Sequence, residues 1–156
     1  EGTVFEIFLP KIDSPANLYE LNRETEGQSE GHILFVEDDV DQLLTVPRIL
    51  KGFGYAVKAL GDSTEAAALI TANPSLFDLM ITDYDMPGLN GVELAKSIEH
   101  CAPDLPVLMV SGREEAAAAS KGCKGIRKIF HKPYDKNELR SVIHAILKKE
   151  RTLRVD

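Results

Sequence analysis

The chain has 156 residues, 44% of them apolar and 28% charged, which suits one domain with an extra flank and leaves room for a sizeable core. A net charge of −7 argues against non-specific binding to nucleic acid or an anionic membrane surface. No apolar stretch approaches the roughly 20 residues of a membrane span, the acidic amino terminus gives no sign of a secretory leader, and Cys101 and Cys123 form no CxxC pair, so both are expected to be reduced thiols of a cytosolic protein.

Residues 1–12, EGTVFEIFLPKI, alternate apolar and polar positions like a strand, with Val4 or Thr3, Phe5, Ile7 and Leu9 available for burial and Pro10 as its stop. Residues 13–31 are rich in Glu, Ser, Asn and Gly without sustained periodicity and are expected to be a linker. From residue 32 strand-like and helix-like segments alternate. Strands are predicted near 32–37, 55–60, 77–82, 106–110 and 126–131, and helices near 40–52, 63–72, 90–101, 113–121 and 135–149. The run Asp62-Ser63-Thr64-Glu65 offers a cap and an acidic first turn ahead of AAALI. Residues 114–121, EEAAAASK, combine strong helix formers with acids first and Lys last. Leu139, Val142, Ile143, Ile146 and Leu147 fall at helical spacing. Five βα units of this length predict an α/β domain with a parallel sheet, helices on both faces and right-handed crossovers.

The polar residues that end three of the strands carry the chemistry. HILFVEDD closes on Glu37 and Asp38, FDLMITD closes on Asp83, and KIFH is followed by Lys132. Parallel α/β sheets place their sites at the carboxyl edge of the strands, so an acid pair, a lone acid and a cation are expected to converge there. Two carboxylates about 4 Å apart repel by roughly 4 kcal/mol at an effective dielectric near 20. Three converging acids therefore call for a cation or a function, and the set suits a divalent metal and a phosphoryl group. Plainer roles fit the neighbours: Asp39 and Asp41 as cap and first-turn acids, His100 and His131 as surface or structural histidines, and Ser111 in isolation as the cap of the next helix.

Four motifs, VEDD at 36–39, ITDYDMPGLNG at 81–91, VSG at 110–112 and HKP at 131–133, resemble in order and spacing those of a response-regulator receiver domain. The resemblance covers roughly residues 31–150. It implies a doubly wound, flavodoxin-like α/β fold with five parallel strands in the order 2-1-3-4-5 and a switch point between the first and third. It also implies that Asp83 is the phosphoacceptor, its carboxylate attacking the phosphorus of a partner's phosphohistidine to give an acyl phosphate. Mg²⁺ would be held by Asp38 directly, Glu37 through water, Asp83, and the main-chain carbonyl of Asp85, since a hard cation prefers oxygen ligands. Lys132 would pair with Asp83 and then with the phosphoryl group. The Ser111 hydroxyl would bond a phosphoryl oxygen and draw its loop inward, and Pro133 would fix the following loop through a cis peptide bond.

Two features depart from the family pattern. The position three before Lys132, often Tyr or Phe in the family, is Ile129, so the usual coupling of Ser111 movement to a ring rotation is in doubt; Phe130 is one residue on and points to the opposite face. The positions that tune phosphoryl lifetime are Asp85 and Arg113, an acid facing a base, where an ion pair over the site would hinder water.

The first ten residues, EGTVFEIFLP, are similar to the closing strand of a histidine-kinase ATP-binding domain. The expected organisation is thus a remnant strand at 1–12, a linker at 13–31, a receiver at 32–150 and a tail at 151–156, the carboxyl-terminal part of a hybrid sensor histidine kinase with no DNA-binding output domain after it. No phosphoacceptor-histidine helix and no nucleotide-binding box is present, so the expected chemistry is the receiver's own phosphoryl transfer and slow dephosphorylation. The expected partner is a phosphohistidine donor, either the parent's kinase domain or a histidine phosphotransfer protein. Neither nucleic acid nor direct membrane contact is expected, and the location is cytoplasmic, with a parent that is soluble or anchored with this domain on the cytoplasmic side. Self-association through residues 1–12 is expected, because an apolar strand without its sheet docks on an edge or groove. Two alternatives remain at this stage. One is a receiver-like binding module that is never phosphorylated. The other is a haloacid-dehalogenase-like phosphatase, whose DxD resembles Asp83-Tyr84-Asp85 but belongs on a first strand.

Overall fold

The computed structural model of the protein describes residues 30–153; the expectations for residues 1–12, most of the linker and the last three residues lie outside the described residues. Five strands and five helices alternate: β1 (His32–Val36), α1 (Val40–Gly52), β2 (Ala56–Leu60), α2 (Ser63–Ala72), β3 (Leu79–Asp83), α3 (Gly91–Ile98), β4 (Val107–Ser111), α4 (Glu115–Ala119), β5 (Ile126–His131) and α5 (Lys136–Leu153). All strand pairs are parallel and the sheet order is β2-β1-β3-β4-β5, as expected. The chain leaves β1 for one side of the sheet and returns at β3 on the other, which opens a crevice at the carboxyl ends of β1 and β3.

The central strands are apolar almost throughout because helices cover both of their faces. Ile33, Phe35, Leu79, Ile81, Leu108 and Val110 pack towards Val46 and Leu50 of α1 and Leu139, Ile143 and Leu147 of α5. The alternate residues Leu34, Val36 and Met80 pack towards Ala66 and Ile70 of α2 and Leu94 and Ile98 of α3. This strict alternation fixes the register, and with it which residues finish at the carboxyl edge.

Helix starts follow their caps. Asp39 Oδ1 accepts from Gln42 N at 2.9 Å. Asp62 Oδ1 accepts from Thr64 N at 2.7 Å and Glu65 N at 2.9 Å, and the bonds from the Glu65 and Thr64 amides hold its carboxyl below the usual range. Asn90 and Glu93 form a reciprocal capping box on α3. Three boundaries differ from the sequence expectation. The helix expected at 113–121 shrinks to Glu115–Ala119: Glu114 makes no side-chain cap bond and Ala116 is its one buried residue, so propensity has little packing to support it. The helix expected at 90–101 ends at Ile98. Conversely α5 runs to Leu153, into the expected tail, because KKERTLR contains no Gly or Pro to stop it.

One irregularity sits in β5. Val107 pairs with Ile126 but Leu108 pairs with Lys128, leaving Arg127 as an extra residue. Ile126 and Ile129 therefore serve the same face, packed against Val92, Met109 and Ala116, although their spacing of three would separate them on a regular strand.

Candidate functional site

The strand ends bring the expected residues together. Asp83 is the last residue of β3 and Glu37 directly follows β1, where its amide still donates to Leu60 O at 3.1 Å. Lys132 directly follows β5, with its amide donating to Ser111 O at 2.9 Å. Its ammonium donates to Asp83 Oδ1 at 2.6 Å and Glu37 Oε2 at 3.2 Å. The second oxygen of Asp83 accepts from Asp85 N at 2.7 Å, and Glu37 Oε1 accepts from Asp39 N at 3.3 Å. Glu37 and Asp83 are 3% and 5% exposed, so these bonds stand in for lost water.

Burial pushes the Glu37 carboxyl above its ordinary range, and the neighbouring Asp83 charge adds to this against the pull of Lys132. Burial also works against the Lys132 ammonium, but its hydrogen bonds and attraction to Asp83 and Glu37 outweigh that and hold the proton more firmly than usual. Carboxylate oxygens of Glu37, Asp38 and Asp83 lie within 4.8 Å of one another, with Asp38 exposed. An all-oxygen, all-anionic donor set with one solvent-facing member fits a hard divalent cation that keeps part of its water shell.

Two loops frame this cluster. Arg113 Nε donates to Asp85 Oδ1 at 3.0 Å, an ion pair that joins the β4–α4 loop to the β3–α3 loop. The Ser111 hydroxyl is fully buried, donates to Arg113 O at 3.1 Å and accepts from Arg113 N at 2.9 Å. It closes its own loop in this way, and bonding a phosphoryl oxygen would require its hydrogen to turn away from Arg113 O. The Lys132–Pro133 peptide is cis. Gly91 is required sterically, because a Cβ there would collide with the Asp83 carbonyl oxygen.

Ile129 lies with Val92, Met109 and Ala116, and Tyr84 packs on the same cluster. Phe130 lies on the other face, its ring 5.9 Å from that of Tyr134, and does not substitute for a ring at 129. His100 and His131 are exposed. Ser63 is a residue that the sequence reading took for part of a helix cap: it is 1% exposed and reaches the β3–α3 loop, donating to Pro87 O at 3.2 Å and accepting from Leu89 N at 3.1 Å. Its partners are 24 and 26 residues away, so no local pattern announces them. Beside the acids, Val40 and Leu44 of α1 are 66% and 57% exposed. A groove of about 450 Å³ lies between α1 and α5, lined by Val46, Ile49, Tyr134 and Leu139 together with Lys132.

The family described as the response regulator receiver domain matches residues 33–144. The chain is 26% identical over 160 residues to the sensor kinase CckA of Brucella abortus, an alignment that covers 96% of this chain and 17% of that protein. The chain thus spans about a sixth of that curated relative's length. Among solved structures, a response regulator receiver domain protein from Clostridium thermocellum superposes with a TM-score of 0.72 at 26% identity, covering 78% of this chain and 98% of the other. The receiver domain of the Pseudomonas aeruginosa sensor histidine kinase PA1611, which has a magnesium ion coordinated in its active-site cleft, superposes with a TM-score of 0.68 at 19% identity, covering 76% and 98%.

Proposed function

This chain belongs to the response-regulator receiver family, the receivers of two-component phosphorelay signalling, and we propose that Asp83 is where it takes its phosphoryl group. The observation that carries the reading is the buried Asp83 carboxylate, gripped by Lys132 on one oxygen and the Asp85 amide on the other, beside two further acids. An oxygen of Asp83 attacks the phosphorus of a partner's phosphohistidine; the new P–O bond forms as the P–N bond breaks, and the imidazole leaves with the electron pair. Lys132 orients the attacking carboxylate and then pairs with the transferred group, whose added charge it is placed to meet. Mg²⁺ held by Asp38, Asp83 and the Asp85 carbonyl, with Glu37 beyond, would neutralise charge on the transferring oxygens. Ser111 changes partner from the Arg113 backbone to a phosphoryl oxygen and carries its loop with it.

Receivers accept phosphate from histidine kinases or phosphotransfer proteins. For this one the exposed Val40 and Leu44, on the first turns of α1 next to Asp38, give the donor an apolar surface to rest on while its histidine reaches Asp83. The parent is a hybrid sensor histidine kinase, a reading supported by the alignment with a sensor kinase through 96% of the chain, well beyond the receiver itself. Residues 1–12, whose sequence resembles the end of such a kinase's ATP-binding domain, then belong to that domain. Among the described residues no helix is long and apolar enough to cross a membrane, and a cytoplasmic receiver is the proposed setting.

The test is incubation with acetyl phosphate with and without Mg²⁺, followed by intact-mass measurement. One phosphoryl group, dependent on Mg²⁺ and labile to hydroxylamine, is expected on the wild type and none on Asp83→Asn, whose amide keeps the shape but is no nucleophile. Label persisting in Asp83→Asn would move the acceptor to another acid, and a wild type that takes no label would favour a binding module.

A further inference from the structure

The β3–α3 loop, residues 84–90, is tied at its base by Tyr84 N donating to Val110 O at 2.8 Å and Gly91 N donating to Tyr84 O at 3.0 Å. Its tip turns at Gly88, whose φ of +79° lies in the left-handed region. The Ser63 hydroxyl straddles that turn, donating on one side to Pro87 O and accepting on the other from Leu89 N. A hydroxyl is the side-chain group that does both with one atom, and Ser63 is almost fully buried. Between base and tip, Asp85 offers its amide to Asp83 Oδ2 at 2.7 Å.

We propose that Ser63 is a positioning residue for the reactive carboxylate: by clasping the turn at Pro87–Leu89 from α2, it holds the loop so that the Asp85 amide stays aimed at Asp83 Oδ2. The inference rests on the reading of Asp83 as phosphoacceptor and metal ligand. Without the hydroxyl, Pro87 O and Leu89 N lose their partner at a position that admits little water. The turn then relaxes outwards to find solvent. Asp85 lies two residues before Pro87, so its amide moves with the turn and Asp83 gains rotational freedom. A carboxylate that must be re-oriented binds metal less well, as happens when a partner behind a metal ligand is lost.

The experiment compares the 156-residue wild type, Ser63→Ala and Ser63→Cys by amide hydrogen exchange and by amide-shift titration with Mg²⁺. Ser63→Cys keeps the shape and weakens the bonds. In Ser63→Ala the Leu89 and Asp85 amides are both expected to exchange faster, and Mg²⁺ affinity to fall about tenfold. Ser63→Cys is expected to change in the same direction by less. Faster exchange at Leu89 alone, with Asp85 and Mg²⁺ affinity unchanged in both variants, would make Ser63 a simple turn clasp and overturn the inference. A wild type that neither responds to Mg²⁺ nor takes phosphate on Asp83 would overturn the functional reading and this inference with it.

Discussion

Glu37 sits where two demands conflict: a cation site needs it charged, and its burial disfavours that charge. Its carboxyl takes a proton more readily than an ordinary glutamate of pKa 4.5, because burial and the Asp83 charge outweigh Lys132. The native state thus binds that proton more firmly than the unfolded chain does. Glu37's contribution to stability is most favourable below the ordinary value and declines as pH rises through the raised native one. In metal-free protein at neutral pH, Glu37→Gln is therefore expected to raise the melting temperature by a few degrees, with the gain vanishing at pH 4 and below. Melts across pH without metal check this, and a lower melting temperature for Glu37→Gln at pH 7 would mean that attraction to Lys132 dominates. Glu37, Asp38, Asp83 and Lys132 were legible in the sequence because each terminates an apolar run whose length and period fix its place at the sheet edge. Ser63 was not. Its hydroxyl is defined by where the β3–α3 loop lands, and only tertiary structure supplies that.

At the scale of elements, the site depends on two loops that share Arg113. Its guanidinium holds Asp85 on the β3–α3 loop, and its backbone holds Ser111 at the end of β4. The Arg113 and Asp85 side chains are 61% and 41% exposed, and an ion pair this open contributes about 0–1 kcal/mol to stability. Its position matters more than its energy: if Asp83 carries an acyl phosphate, an acid and a base joined between these two loops would obstruct the water that hydrolyses it. Arg113→Ala is expected to leave the melting temperature within a degree or two while shortening the phosphoryl lifetime several-fold, measured as label remaining after the donor is removed. An unchanged lifetime would show that water enters by another route. Elements were less legible where packing overrules local preference. The alanine run reads as a nine-residue helix, yet α4 keeps five residues because it buries little. The extra residue in β5 likewise sets Ile126 beside Ile129, a phase that an alternating pattern does not contain.

For the whole molecule, a cation held by the crowded acids would couple metal binding to folding. A cation that binds the folded state alone adds RT ln(1 + [L]/Kd), roughly 2.7 kcal/mol at about 100 Kd. Melting temperature is therefore expected to rise with millimolar Mg²⁺ in the wild type and much less in Asp38→Asn; equal rises in both would place the ion elsewhere. The same whole-molecule view bears on residues 1–12. The sheet of the described residues has helices on both faces, and its buried clusters draw on β1 through β5 without a further strand. If residues 1–12 belong to the sheet of a kinase ATP-binding domain, the receiver does not need them. Deleting residues 1–28 is thus expected to leave the melting temperature and Mg²⁺-dependent phosphorylation nearly unchanged. A deletion that unfolds the protein would make these residues an integral part of this domain and end the reading of them as part of a neighbouring one.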